Sequence, residues 1–178
     1  MNFQEALETG KAGESRIARY LLTLGYSVLP VYKTADCETK GPVLHSAMSG
    51  PLIAPDMLAF KGQQVLWIEA KHKTAFVWYR KAEKWITGID THHYQQYLTI
   101  QRERPEWPIW LLFLQQNGIA KGTPEGKISP TGLFGNTLDY LSKHITVEHP
   151  KSEHGRGMVC WEIDALKYLA PLSDLLTP

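Results

Sequence analysis

Two acidic residues and a lysine carry the most chemistry for their spacing. Asp56 follows a proline, and Glu69-Ala70-Lys71 follows 13 residues later, at the end of an apolar run, in the stretch 51–73, PLIAPDMLAFKGQQVLWIEAKHK. The stretch reads as two strands joined by a turn at Lys61-Gly62. Alternation along a strand puts Val65, Trp67, Glu69 and Lys71 on one face and Leu66, Ile68 and Ala70 on the other. If the strands pair as a hairpin, Asp56 lies near the point where Glu69 emerges. Two carboxylates and an ammonium then converge at one sheet edge. That donor set suits a hard divalent cation, which takes one or two carboxylates and retains several waters. The Ala70 carbonyl is a further candidate ligand. Lys71 would hold or deprotonate a water, or stabilise charge developing on a phosphate.

The elements that must position these groups can be read in order. Residues 2–24 have helical periodicity from Gly13 onward (Ile17, Ala18, Leu21, Leu22, Leu24), with a break expected near Thr9-Gly10 and a stop at Gly25. Glu14 lies in the first turn of the periodic part. There it either complements the helix dipole or adds a third acid over the sheet edge. Residues 26–32 form a β-rich run, and Pro30 suits an edge. The span 33–54 reads as a long loop, a flap beside the site with Lys33, Lys40 and His45 as substrate contacts. Residues 76–87 predict a projecting hairpin with aromatic arms and a charged tip. Its aromatics either stack on nucleic-acid bases or pack onto the core.

Asp90 or Thr91 can cap a helix running to about Arg104, and IWLLFL at 109–114 is short enough for a buried central strand. Residues 115–135 are turn-rich. A short helix over 136–145, a strand over 158–163 and a final helix over 164–176 complete the reading. The order αβββ, hairpin, αβ, α, βα predicts one α/β domain, a mixed sheet flanked by helices.

Composition narrows the classes. The chain has 178 residues, and its formal charge of +1 excludes a generally basic nucleic-acid binder. Locally, six Lys or Arg (Lys61, Lys71, Lys73, Arg80, Lys81, Lys84) face only Glu69 and Glu83 between 61 and 84. Lys73, Arg80, Lys81, Lys84 and Lys33 are therefore candidate phosphate contacts. Cys37 and Cys160 suggest neither a disulfide framework nor a zinc ribbon. No apolar run suits a signal or a membrane span, so a cytoplasmic protein with no membrane partner is expected. His92-His93 reads as a pair of polar capping-turn residues, and His149 and His154 lack partners at metal spacing beyond Glu148 and Glu153.

Acid-any-lysine occurs three times, at Glu38-Thr39-Lys40, Glu69-Ala70-Lys71 and Glu125-Gly126-Lys127, but only the second follows an apolar strand with Pro-Asp upstream. With Glu14 in an N-terminal helix and αβββ order, the chain resembles the PD-(D/E)XK nuclease superfamily over about residues 13–115. Within that superfamily it is most similar to archaeal Holliday-junction resolvases and small phage-type nucleases. The resemblance implies a restriction-endonuclease-like core in αβββαβ order, with the projecting hairpin and an extra C-terminal strand and helix as additions. It also implies hydrolysis of DNA phosphodiesters with Mg2+, Mn2+ being accepted, in recombination, repair or phage DNA processing. By the same resemblance Asp56, Glu69 and Lys71 form the central trio, Ala70 and Glu14 assist the metal, and a glutamine on the next helix, Gln95 in preference to Gln96, joins the site. Many members act as dimers, so a homodimer is a candidate assembly. The 33–54 loop and the aromatic hairpin depart from the family pattern and would reshape the substrate groove. A binding module of the same fold without turnover is the alternative. A third possibility is a structural protein whose acids and lysine make surface ion pairs worth about 0–1 kcal/mol.

Overall fold

The first helix settles onto a mixed sheet, and the two later insertions pack around the helix that follows. The computed structural model describes residues 3–31, 42–120, 122–149 and 157–176. Helix α1 (Phe3–Thr23) runs without a break through Thr9-Gly10 and ends where Gly25 takes a positive φ of 81°. It is followed by β1 (Ser27–Pro30), β4 (Met57–Lys61) and β5 (Gln64–Lys73), which are antiparallel neighbours. Between β1 and β4 lies a separate hairpin, β2 (Val43–Ser46) and β3 (Gly50–Ile53). After β5 come β6 (Val77–Tyr79), β7 (Lys84–Asp90), helix α2 (Thr91–Glu103) and β8 (Ile109–Gln115), which pairs in parallel with β5. The chain continues through β9 (Gly132–Thr137), α3 (Leu138–Ser142), β10 (Val147–His149), β11 (Met158–Glu162), a 3-10 turn (Ile163–Ala165), β12 (Lys167–Ala170) and α4 (Leu172–Leu176).

The main sheet has the order β1-β4-β5-β8-β9-β12 and a second has β10-β11-β7-β6. Stripped of its insertions, the first part is αβββαβ, as expected, with β5 and β8 central. Both faces of that pair are covered. Ile17 and Leu21 of α1 bury Leu66, Ile68 and Ala70, while Trp67, Leu111 and Phe113 meet Tyr94, Tyr97 and Ile100 of α2 and Trp161 of β11. Trp161, Phe113 and Tyr97 are effectively sealed from water, and fully burying a large apolar side chain contributes roughly 1.5–3 kcal/mol.

Five expectations are corrected. Residues 33–41 of the 33–54 loop, and with them Lys33, Cys37 and Lys40, lie outside the described residues, as does His154, but 43–53 is a hairpin rather than loop. Ser46 Oγ accepts the Met48 and Ser49 N–H groups, and Gly50 has φ 73°, so local turn chemistry closes it. The aromatic hairpin does not project alone: β7 continues to Asp90 and pairs with β11, with Phe76 wholly buried. The turn-rich 115–135 span ends in strand β9, whose Gly135 lies where a Cβ would meet Leu111 O at 2.5 Å, so glycine there marks close strand approach rather than a turn. The helix expected over 164–176 is instead a 3-10 turn, the edge strand β12 and a short helix. Pro171 removes a backbone donor that a helix interior would need. The helix expected over 136–145 is shorter than read, capped by Thr137 Oγ1, and β10 was hidden in a polar stretch.

Candidate active site

The acidic edge forms where β4 stops before β5 does. Pairing of these strands begins at Met57↔Ile68, so Ala70 has no β4 residue opposite it. Trp67 sends its N–H toward the β8 side, to Pro108 O at 3.0 Å, and by alternation Ala70 turns its own toward the β4 side. The Asp56 carboxylate takes the missing partner's place, accepting the Ala70 N–H at 2.8 Å. The carbonyl of Ala70 leaves the strand on that same edge. Val31 N–H to Asp56 O at 2.9 Å fixes the Asp56 backbone in turn.

Glu69 is 1% exposed, yet both of its oxygens are engaged. Oε2 accepts the Tyr97 hydroxyl at 2.6 Å, and Oε1 is ion-paired with Lys71, whose side chain remains 26% exposed. Glu14 is brought over this edge by α1. Gly13 is what lets the helix come so close: a Cβ there would meet His72 Cβ at 2.4 Å.

Crowding of the acids shows in their protonation. Burial, then the charge of Glu69, pushes the Asp56 carboxyl up to about 8, against the opposing pull of Lys71 and the Ala70 N–H. Glu14 is also raised, by burial first, with Lys71 working against it and Glu69 with it. Burial works to lower Lys71, but Glu69 and Asp56 outweigh it and push the ammonium up to about 12. Burial and the Glu69 charge hold the Tyr97 hydroxyl well above its ordinary range, so it donates and does not ionise.

The predicted trio of Asp56, Glu69 and Lys71 is thus together, with Ala70 between them and Glu14 near enough to feel their charges. Gln95 is not among them. Successive helix positions four apart share a face, and on α2 the face toward Glu69 carries His93 and Tyr97. Gln95 is exposed and lines the groove between α2 and α3, while Gln96 accepts the Ile53 N–H at 3.3 Å. Asp90, the N-cap, takes the His92 N–H as expected. His93 is no capping residue but a half-buried ring facing Glu69 and Lys71, its pKa lowered by burial against the pull of Glu69. Tyr97 was hidden in the sequence by its place in an apolar stripe. The i, i+4 pairing of His93 with Tyr97 beyond the acid-any-lysine strand was the available signal.

The basic candidates divide. Lys73 continues the face of Glu69 and Lys71, its pKa lowered by burial and by Lys71. Lys84 is tied to Asp164 at 2.5 Å and Glu162 at 3.8 Å, and Arg80 donates to Gly122 O at 3.4 Å. Lys81 and His45 are exposed. Trp78 meets Trp85 edge-to-face at 5.0 Å and carries Lys127 above its ring at 4.9 Å, so part of its surface is already taken by the protein.

Among the described residues no group of three acidic, histidine or cysteine side chains is gathered closely enough to hold a metal ion by itself, and no helix is long and apolar enough to cross a membrane. The donor set nevertheless fits Mg2+, a hard cation for which one or two carboxylates, waters and a phosphate suffice. Asp56 and Glu69 are crowded carboxylates at an edge that also presents a backbone carbonyl, with Glu14 one step out.

No protein-family model matches the chain, and no curated protein matches it. A Holliday junction resolvase from the archaeal hyperthermophile Archaeoglobus fulgidus, solved at 1.6 Å, is similar in structure: TM-score 0.50, 12% identity, over 88% of this chain and 90% of that one. Identity this low speaks for fold, and function must be argued from the site. The chain shares the fold of that resolvase, a mixed α/β sheet flanked by helices, as expected.

Proposed function

We propose that this chain is a divalent-metal-dependent DNA endonuclease, with branched or junction DNA as the favoured substrate class. The observation that carries the reading is the edge of β5, where Asp56 caps Ala70 and Glu69 is held between Tyr97 and Lys71. Asp56, Glu69 and the Ala70 carbonyl would hold Mg2+ or Mn2+, with Glu14 acting through water. The metal, when bound, supplies charge neutralisation on the phosphate and a more acidic water.

The protein's own groups do the rest. Lys71, ion-paired with Glu69, would hold or deprotonate the attacking water, or stabilise negative charge developing on phosphorus. Tyr97 locks the Glu69 carboxylate, and β4 and β5 hold the acids on a rigid hairpin. Water adds to phosphorus as it gives up a proton to solvent, the P–O3′ bond breaks, O3′ takes up a proton, and the products carry a 5′-phosphate and a 3′-hydroxyl. The junction preference draws support from the structurally similar resolvase, and a homodimer would place two such sites on one junction.

Labelled duplex, four-way junction, flap and single-stranded DNA, incubated with Mg2+ or Mn2+ against EDTA, test this. Metal-dependent nicking with preference for the junction is expected. Salt-sensitive binding with no cutting under any metal would leave a binding module in place of the enzyme.

A further inference from the structure

We propose that Lys73 holds the phosphate next to the scissile one, so that β5 itself tracks the nucleic-acid backbone. The assignment rests on the nuclease reading above. Lys73 stands two residues beyond Lys71 on the same strand face, about 7 Å along β5 at ~3.3–3.4 Å per residue. That is the scale on which successive phosphates of a strand follow one another.

The charges along this face are unequal. Lys71 is compensated by Glu69, whereas the Lys73 ammonium has no ion pair or hydrogen bond among the described residues. Burial and the repulsion from Lys71 outweigh the pull of Glu69, so the ammonium costs the folded state more than it returns. Its surroundings are polar and built. Gln115, in register with Lys73 on β8, is 0% exposed and donates its amide to Thr87 Oγ1 at 3.1 Å, leaving Oε1 without a partner. Buried Cys160 and Glu69 are the other ionisable neighbours. One uncompensated cation, partly exposed and one step past the reacting groups, suits one more phosphodiester anion.

The alternative cations are worse placed. Lys84 is already neutralised by Asp164 and Glu162, and Arg80 donates to Gly122 O at 3.4 Å.

The test measures binding of labelled DNA in EDTA across a salt series, with single methylphosphonates replacing the linkages on either side of the cut. Wild type should lose several-fold in affinity when one of those two linkages is neutral. Lys73→Gln should lose that sensitivity and lower the log–log salt slope by about 0.9. Lys73→Arg should restore both, and Lys84→Gln should change neither. A Lys73→Gln protein with the wild-type slope and wild-type methylphosphonate sensitivity overturns this assignment alone. A wild type with no salt-dependent DNA affinity overturns the assignment and the nuclease reading together.

Discussion

Replacing Asp56 by asparagine should make the metal-free protein more stable, and increasingly so as pH rises. The Asp56 carboxyl is held at about 8 in the fold against an ordinary 3.8. The folded chain therefore binds that proton more tightly than the unfolded chain, and unfolding free energy falls as pH climbs from about 4 through about 8. Each pH unit of separation is worth about 1.4 kcal/mol, which sets a ceiling of roughly 5–6 kcal/mol above pH 8. Glu69 and Glu14 share the repulsion and relax when it is relieved, so about 3 kcal/mol is the expected gain for Asp56→Asn near pH 8.5. Asparagine keeps an oxygen for the Ala70 N–H, so the 2.8 Å bond survives the change. Urea melts of both proteins in EDTA, near pH 4.5 and 8.5, read the difference directly. A gap that is small in acid and large in base is predicted. An asparagine variant no more stable than wild type near pH 8.5 would refute the idea that this edge is acid-crowded.

Two further outcomes follow from single atoms. Tyr97→Phe deletes only the hydroxyl that holds Glu69 Oε2, so it should lower stability by about 1.5–3 kcal/mol and weaken Mn2+ binding about 10-fold or more by calorimetry; unchanged metal affinity would count against Tyr97 as a positioning group. Gly13→Ala would gain up to about 1 kcal/mol from helix propensity alone. Against that, its Cβ meets His72 at 2.4 Å, and overpacking costs about 1–3 kcal/mol. The variant should therefore be destabilised or neutral, with cleavage reduced about 100-fold as Glu14 shifts; a more stable variant with full activity would show that α1 is free to move.

Much of the site was legible because strand chemistry is local. Period-two alternation placed Glu69 and Lys71 on one face, and the glycine turn at Lys61-Gly62 paired Asp56 with the strand end. The apolar 109–114 run read as a buried central strand for the same reason. What escaped depended on contacts remote in sequence. Tyr97 and His93 look like a core aromatic and a capping residue until α2 is laid beside β5. The pairing of Lys84 with Asp164 spans 80 residues and removes a cation that the charge count had assigned to nucleic acid. Strand β12 is an edge strand whose partner, β9, is itself masked by glycines, so neither declared itself from periodicity.

The central claim is that phosphodiester hydrolysis belongs to the Asp56–Glu69–Lys71 edge. Single-turnover cleavage of one junction substrate by wild type and by Asp56→Asn, purified side by side and titrated with Mg2+, tests it most directly. Wild type should cut in a Mg2+-dependent way, and the folded, more stable variant should lose at least about 100- to 1,000-fold. Equal rates for the two proteins would contradict it.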